Sequence, residues 1–319
     1  MASASKYLVR PQVEEDWVDS TRSDSELSVC LMKPVGHNDM MEVRDGIYDQ
    51  DKGEAYHQHT HGCELFFLPK GTVEIVIRGK STVLQAGDFL YVPTGVPHAF
   101  HFPGERTTLR LFLQGVNIYG RRIHYNRIRE NYPQLLEDPE FAERFALARS
   151  TFKREEPVTT PVDRRSLPEV RTPDAGLSEF TLPGAVLRQV LGRWETSDMY
   201  EVWRVEARKG LRVRWDMPHD DWELYQVTEG CVRFHVLQET FEAHTGELVR
   251  IPPYTTYDME VLEEGTVVHD MGCSVRLLSF LEDRLSVLTN KPELWKDEAY
   301  RHRFFIKYNC FVTSWEYEN

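Results

Sequence analysis

Hydrophobic and polar residues alternate along several short segments of this chain, and turn residues separate these segments. In TVEIVIRG and again in CVRFHVLQ, every second residue is apolar and most of these residues are β-branched or aromatic. This period of two is typical of strands that bury one face. Charged stretches such as PQLLEDPEFAERFALARS follow the strand blocks and carry apolar residues at helical spacing. The pattern predicts an all-β protein of antiparallel barrels or sandwiches with peripheral helices, packed outside the barrels or between the subunits of a homodimer.

The strand-rich segment occurs twice at a constant separation. Glu64 in CELFFLPKG corresponds to Glu223 in WELYQVTEG, an offset of 223 − 64 = 159 residues. Nine identities share this offset without a gap, and their first members are Glu64, Gly71, Gly87, Pro93, Pro133, Leu135, Asp138, Arg144 and Phe145. Two such repeats fill a chain of 319 residues, and each has an ordinary domain size. We therefore predict an internal duplication, with a first domain at 1–152, a Pro-rich linker at 153–184 and a second domain at 185–319.

The charge and the cysteines narrow the choice of partners and compartment. The chain carries 38 Lys and Arg against 51 Asp and Glu, a net charge of −13, which repels the phosphates of nucleic acids. No apolar run approaches the roughly 20 residues that span a bilayer, and the first residues lack the apolar core of a secretory signal. Five scattered cysteines without a CxxC pair indicate free thiols. We expect a cytoplasmic protein without a nucleic-acid or membrane partner.

Residues suited to metal chemistry are concentrated in the first repeat, where five of the 12 histidines lie within 45 residues. His57 and His59 are two residues apart, so both point to the same side of an extended strand. Glu64 follows His59 after four intervening residues, a gap long enough for the strand to bend. His98 follows a turn that contains proline and glycine. Three imidazoles and one carboxylate suit one divalent transition metal (Fe, Ni, Cu, Mn, Co or Zn) with positions left open. His61 continues the alternation of histidines. Three roles are open to it: a metal ligand, a hydrogen-bonding neighbour of a ligand, or a residue at the pocket mouth. We favour the last two.

The spacing of these residues matches a known pair of motifs. HxHx4Ex6G is formed by His57, His59, Glu64 and Gly71, and Gx5PxGx2H by Gly87, Pro93, Gly95 and His98. Together they resemble the two motifs of the cupin superfamily, and the duplication makes the chain similar to a bicupin. Two positions depart from the pattern without touching a ligand, since Asp51 stands where a glycine is usual and Phe102 where an asparagine often ends the second motif.

The resemblance implies a double-stranded β-helix, or jelly-roll barrel, in each repeat. The metal would lie inside one end of the first barrel, held by His57, His59, Glu64 and His98, with a substrate pocket above it. Inward-facing parity in such a barrel predicts a mostly apolar pocket lining: His61, Phe66, Leu68, Val73, Ile75, Phe100 and Phe102. Such a lining favours an apolar or aromatic organic substrate over a small dianion.

The second repeat lacks the imidazoles. The offset of 159 carries the four ligand positions onto Asp216, Pro218, Glu223 and Tyr257. Proline offers no donor atom, and a phenol with carboxylates is a poor first-row metal site. We expect a second barrel that keeps the fold, has lost the metal and serves a structural role, with His219 as the residue that could form a displaced site.

Three functions remain open. Three His and one Glu in the first of two barrels is similar to the quercetin dioxygenases. This resemblance implies oxidative C–C cleavage of an enolisable aromatic, polyketide or flavonoid-like small molecule with O2, and Glu64 as the proton acceptor. The same ligands also serve redox-neutral cupin isomerases, decarboxylases, lyases and C–C hydrolases. The third alternative is a non-enzymatic binding protein that resembles the pirins or seed-storage bicupins.

Overall fold

The structure, a computed structural model, consists of two compact β-rich units. The first barrel is defined here as residues 12–174, and the second barrel as residues 175–319 together with residues 1–11. The described residues are 5–9, 18–19, 26–32, 41–104, 106–115, 118–148, 151–215, 222–272, 276–308 and 312–317. Both units are antiparallel jelly-roll barrels with accompanying helices, which confirms the predicted fold class.

The elements are numbered in chain order. The strands are β1 (Leu8–Val9), β2 (Val18–Asp19), β3 (Glu26–Met32), β4 (Met41–Tyr48), β5 (Lys52–His59), β6 (Cys63–Lys70), β7 (Thr72–Ile77), β8 (Lys80–Gln85), β9 (Phe89–Val92), β10 (His98–Phe102), β11 (Thr107–Gln114), β12 (Thr151–Lys153), β13 (Thr160–Pro161), β14 (Val170–Arg171), β15 (Glu179–Leu182), β16 (Ala185–Leu191), β17 (Val202–Ala207), β18 (Arg212–Trp215), β19 (Glu223–Glu229), β20 (Cys231–Val236), β21 (Glu239–His244), β22 (Leu248–Ile251), β23 (Tyr257–Val261), β24 (Thr266–Gly272) and β25 (Val312–Glu316). The α-helices are α1 (Ile118–Asn131), α2 (Gln134–Glu137), α3 (Pro139–Leu147), α4 (Leu277–Asn290) and α5 (Glu298–Tyr308). Within the described residues, no helix is both long and apolar enough to cross a membrane.

Two sheets form the first barrel. Their strand orders are β12–β5–β10–β7–β8–β13 and β14–β9–β6–β11–β4–β3–β2, and the short β13 pairs with β8 in parallel. In β7 the alternation seen in the sequence buries Val73, Ile75 and Ile77, each at most 1% exposed, while the residues between them are only half-buried. These side chains join one apolar core between the sheets. The period of two therefore determines which face of each strand is buried.

The second barrel repeats this topology. Its sheets run β25–β18–β23–β20–β21 and β1–β22–β19–β24–β17–β16–β15, the same order as in the first barrel except that β13 has no counterpart among the described strands. Strands β7 to β11 each begin 159 residues before their counterparts β20 to β24, as 231 − 72 = 159 shows for the first of these pairs. The duplication inferred from nine sequence identities is confirmed by this register.

A repeated glycine shows why some identities span both copies. Gly71 and Gly230 turn the chain with φ of 90° and 80°, in the left-handed region that glycine adopts without strain. A Cβ at Gly71 would lie 2.8 Å from the Thr107 hydroxyl oxygen, and one at Gly230 would lie 2.3 Å from that of Thr266. Both the backbone conformation and the neighbouring threonine therefore require glycine at these turns.

The segment predicted as a linker contributes strands to the first barrel. β13 and β14 both lie in 153–184, and they pair with β8 and β9 at the sheet edges. The compact units divide between residues 174 and 175, and β1 near the start of the chain pairs with β22 of the second barrel. The predicted boundaries at 152 and 185 differ from this division because a two-residue edge strand needs no hydrophobic period and tolerates proline.

A buried ion pair also ties the predicted linker to the first barrel. Arg164 Nη1 lies 2.5 Å from Asp88 Oδ2, and the Asp88 side chain is fully buried. The same carboxylate accepts a hydrogen bond of 2.8 Å from the Gln85 backbone N–H. Burial raises the pKa of Asp88, and the Arg164 guanidinium opposes this shift.

We predict that Arg164→Ala lowers the free energy of unfolding of the full chain by about 2–4 kcal/mol, because it leaves a buried carboxylate without its cation. Arg165→Ala is the matched control, since Arg165 pairs with Asp174 where both side chains are 62% exposed. Urea unfolding measures both variants, and the control should unfold as the parent does. Equal midpoints for the two variants would show that the 164–88 pair does not stabilise the barrel.

Candidate metal centre

Four polar side chains converge inside the first barrel: His57, His59, Glu64 and His98. Their ligand atoms all lie within 4.8 Å of one another, and all four residues are buried. His57 and His98 are directly paired on the neighbouring strands β5 and β10, and His59 lies two residues further along β5. Glu64 is on β6 of the opposing sheet. One sheet therefore supplies three imidazoles and the other supplies the carboxylate.

Each imidazole is oriented through its Nδ1 atom. His57 Nδ1 lies 2.8 Å from the Ala55 carbonyl oxygen, and His98 Nδ1 lies 3.0 Å from that of Val96. A carbonyl only accepts, so these contacts place the proton on Nδ1 and leave the Nε2 lone pair free. His59 Nδ1 lies 3.4 Å from the Thr151 hydroxyl oxygen. Three Nε2 atoms are thus available to a metal, with the supporting hydrogen bonds that ligating histidines normally have.

The distances between the donor atoms fit a single ion. His57 Nε2 and His59 Nε2 are 3.2 Å apart, and Glu64 Oε2 lies 3.3 Å from His59 Nε2 and 3.0 Å from His98 Nε2. Ligands bound at about 2.1 Å in tetrahedral or octahedral geometry are about 3.0–3.4 Å apart. Glu64 Oε2 and His98 Nε2 are buried, and neither makes a well-aligned hydrogen bond within the described part of the chain. The residues therefore fit a divalent metal, whose identity this donor set does not determine.

The electrostatics favour the protonation states that metal ligands need. Burial, with the nearby His98 imidazole, lowers the pKa of His57 to about 3 and keeps that ring neutral. Burial alone would raise the pKa of Glu64, but the His59 and His98 imidazoles outweigh it and hold that pKa well below the usual range. Burial lowers the pKa of His98, and the Glu64 carboxylate more than compensates, so the net shift is upward. The site thus combines an ionised carboxylate with a neutral imidazole.

The aromatic residues predicted to line the pocket pack against neighbouring rings in the core, and Phe100 lies beside His98. The ring centroid of Phe100 lies 5.6 Å from that of His98 and 4.6 Å from that of Phe66. Phe102 stacks on Tyr48 with the centroids 4.1 Å apart. The six apolar residues predicted for the lining are at most 3% exposed and belong to the core of this barrel. The immediate surroundings of the site are therefore apolar and aromatic.

His61 and His101 lie away from the ligand group. His61 is exposed in the turn between β5 and β6, where its Nδ1 lies 3.2 Å from the Thr60 hydroxyl oxygen. His101 is half-exposed and lies 3.4 Å from a Glu74 carboxylate oxygen, in agreement with its opposite strand parity. His61 therefore does not join the four converging groups and remains a residue of the surrounding loop.

Two contacts of the site are not apparent from the motif. Glu54 Oε2 lies 3.9 Å from His57 Nε2, although strict alternation places residues three apart on opposite faces. The pairing of β10 with β5 shifts by one residue between His98 and Phe100, and this bulge turns Glu54 to the side of His57. Thr151 reaches His59 from β12, a three-residue strand at the end of the predicted first domain. Neither a bulge nor an edge strand has a clear sequence signal.

In the second barrel, Tyr257 stands where the first has His98. Its hydroxyl oxygen lies 2.5 Å from that of Tyr225, so the two phenols form a hydrogen bond where the first barrel has an imidazole and a phenyl ring. Asp216, Pro218 and His219 lie outside the described residues. The loss of the metal from the second barrel and the displaced site at His219 stay predictions.

A second group of ligand-type residues lies on the hairpin of β20 and β21: Cys231, Glu242 and His244. Burial raises the pKa of the Cys231 thiol to about 11, so the thiolate that a metal needs is disfavoured. Glu242 already accepts a hydrogen bond of 2.8 Å from Arg233. This cluster is a weaker candidate than the four residues of the first barrel.

A family model described as "Cupin domain" matches residues 47–115, which contain all four converging residues. The topology places a second barrel of the same strand order after it. Residues 47–115 thus match a cupin domain, and two barrels of one strand order give the chain a bicupin fold.

This bicupin resembles proteins of several functions. Quercetin 2,3-dioxygenase of Bacillus subtilis is 23% identical over 224 residues, which are 65% of this chain and 66% of that protein. Mannose-1-phosphate guanylyltransferase of Sinorhizobium fredii is 29% identical over 93 residues, which are 27% of this chain and 18% of that enzyme. The chain thus matches just under two thirds of the dioxygenase and less than a fifth of the transferase.

Solved structures agree with the fold. An 11S globulin from Wrightia tinctoria, whose structure is described as revealing an auxin binding site, superposes with a TM-score of 0.55 at 11% identity, covering 83% of this chain and 82% of that one. Oxalate decarboxylase of Bacillus subtilis superposes with a TM-score of 0.52 at 14% identity, covering 86% and 78%. Identities this low establish the bicupin fold alone.

We predict that the double change His57→Ala and His59→Ala removes the metal from the purified bicupin, because half of the donor atoms are lost. The single changes His61→Ala and His101→Ala are controls, since both imidazoles lie outside the converging group. Elemental analysis after dialysis should find about one equivalent of a transition metal per chain in the parent and in both controls. Metal retained by the double variant would place the ion elsewhere.

Proposed function

We propose that this bicupin is a metal-dependent dioxygenase that cleaves a C–C bond of an enolisable aromatic or polyketide-like molecule, such as a flavonoid. The observation that carries the proposal is the convergence of three Nε2 atoms and one carboxylate in the first of two barrels. The similarity to a quercetin dioxygenase over 65% of the chain supports the same reaction class. A redox-active divalent ion in this site would supply Lewis acidity toward an enolate oxygen and electron transfer toward O2.

The role proposed for Glu64 is proton acceptor for the substrate hydroxyl. Its carboxylate is 4% exposed and held ionised by the neighbouring imidazoles, so it enters the reaction without a proton. It also comes from the sheet opposite to the three histidines, so its carboxylate faces their imidazoles across the barrel. His57 and His98 remain oriented by backbone carbonyls while the proton is transferred.

The surroundings of the site bear on the substrate class. Phe100 lies next to His98 and Phe66 lies next to Phe100, and aromatic rings of this kind pack well against planar aromatic molecules. A small dianion or a sugar would need several polar partners to replace its hydration. An aromatic enol is therefore the better match. Redox-neutral chemistry on the same ligands, such as isomerisation, decarboxylation, elimination or C–C hydrolysis, is the alternative that an oxygen dependence test separates.

We predict that Glu64→Gln lowers turnover by roughly 100-fold or more, the scale expected for a lost general base, while part of the metal is retained. Glu74→Gln is the matched control, because Glu74 is a half-exposed carboxylate on the same barrel. Turnover and metal content are measured on the same preparations. Wild-type turnover in Glu64→Gln would remove Glu64 from the mechanism.

We predict that turnover consumes O2. An oxygen electrode with a panel of flavonols, β-diketones and enolisable phenolics should record uptake, and labelled O2 should deliver both atoms to the product. Under strict anaerobiosis the substrate should still bind but not react. Undiminished turnover without oxygen would contradict the dioxygenase proposal and would indicate a redox-neutral reaction. The proposed metal site would be unaffected by that result.

A further inference from the structure

The second barrel contains a cavity of about 400 Å³. It lies between the barrel strands, the helices α4 and α5, and the turn that joins these helices, and every residue that lines it belongs to the second barrel. Pockets for small organic ligands have volumes of about 300–1,000 Å³ and mainly apolar walls. This cavity is within that range, and its lining is mostly aliphatic and aromatic.

Comparison of the two repeats shows how the space arises. In the first barrel, the rings of Tyr48 and Phe102 stack on each other within the core. The offset of 159 carries these positions onto Ala207 and Val261, which both line the cavity. Two stacked rings are thus replaced by a methyl and an isopropyl group. The second barrel has kept the framework and lost the side chains that would fill it.

The same comparison places a carboxylate in the cavity wall. Leu111 of the first barrel corresponds to Asp270 of the second, and Asp270 lines the cavity from β24. Within the described residues, no group donates a hydrogen bond to Asp270 or forms an ion pair with it. An apolar environment makes such a group costly unless a partner is present. Burial, with the charge of Glu201, accordingly raises the pKa of Asp270 to about 7.

The other polar groups of the lining already have partners. The Tyr225 hydroxyl is bonded to that of Tyr257. Arg301 donates a hydrogen bond of 3.0 Å to the Trp295 carbonyl oxygen, and the Arg284 guanidinium lies 5.5 Å from the centroid of the Trp295 ring. Asp270 is the carboxylate of this lining, and it differs from these groups in having no hydrogen-bond or ion-pair partner among the described residues.

We propose that the second barrel is a binding site for a small, largely apolar molecule that donates a hydrogen bond to Asp270 from a hydroxyl or amino group. The apolar body would occupy the space between Ala207 and Val261 that the first barrel fills with aromatic rings. This site is separate from the metal ligands of the first barrel, so it does not depend on the reaction proposed there.

Four naphthalene derivatives with the same apolar body test the ligand class on the full-length chain. 1-Naphthylmethylamine and 1-naphthalenemethanol carry a donor, 1-methylnaphthalene carries none, and 1-naphthaleneacetate carries an anion. Calorimetric titration should show one site per chain, with the two donor compounds binding at least 10-fold more tightly than 1-methylnaphthalene. At pH 8.5, where a carboxyl with a pKa of about 7 is mostly ionised, the acetate should bind most weakly because its charge repels Asp270. If the acetate bound most tightly, Arg284 or Arg301 and not Asp270 would recognise the ligand. That result would overturn the proposed ligand class.

Two variants locate the site. Ala207→Tyr combined with Val261→Phe restores the ring pair of the first barrel and should abolish binding of all four probes. Asp270→Leu restores the residue of the first barrel and should remove the preference for donors, so that the amine and 1-methylnaphthalene bind within about threefold of each other. This single variant also keeps the test decisive if the filled variant does not fold. An unchanged preference in Asp270→Leu would overturn the proposal.

Two controls separate this site from the metal centre. Val83→Phe enlarges an exposed side chain of the first barrel and should leave binding of the probes unchanged. The metal-site variant His57→Ala and His59→Ala should also bind the amine with the parental affinity. Loss of binding in that variant would move the probe site to the first barrel and refute a ligand site in the second, whatever the outcome for the oxygen reaction.

Discussion

Direct pairing of His57 with His98 across β5 and β10 is the constraint on which the candidate site depends. Because these strands are neighbours in one sheet and β6 belongs to the other, the carboxylate of Glu64 meets the imidazoles only when the two sheets face each other. Closing the barrel therefore brings four polar side chains into an apolar interior. Burying them is unfavourable unless something binds their inward atoms, so a bound cation would stabilise the closed barrel as well as any reaction within it.

The features that follow a repeating period were accessible from the sequence. Alternation predicted strands such as β7, the 159-residue offset predicted the duplication, and motif spacing predicted the four converging residues. Features that depend on a local break in the period were not accessible. The bulge that turns Glu54 toward His57 and the edge strands β13 and β14 involve only a residue or two each.

The cavity of the second barrel was missed for a different reason. Ala207, Val261 and Asp270 lie on different strands, and nothing in their local sequence marks them as neighbours. Only the folded barrel brings these three residues together around one cavity. Comparison with Tyr48, Phe102 and Leu111 of the first repeat then shows which volume was removed and which charge was introduced. Two copies of one framework have thus diverged, one around polar ligand atoms and the other around an apolar space.

The short strands β1 and β14 occupy equivalent edges, next to β22 in one barrel and β9 in the other. Each precedes one repeat in the chain but completes the sheet of the other repeat. The two cases differ, because β14 lies in the same continuous segment, 12–174, as the strands that it completes, whereas β1 is separated from its partner strands by the whole first barrel. During synthesis, β1 can therefore pair only after β22 has been made. The sheet of the second barrel closes only after the segment of the first barrel has been synthesised.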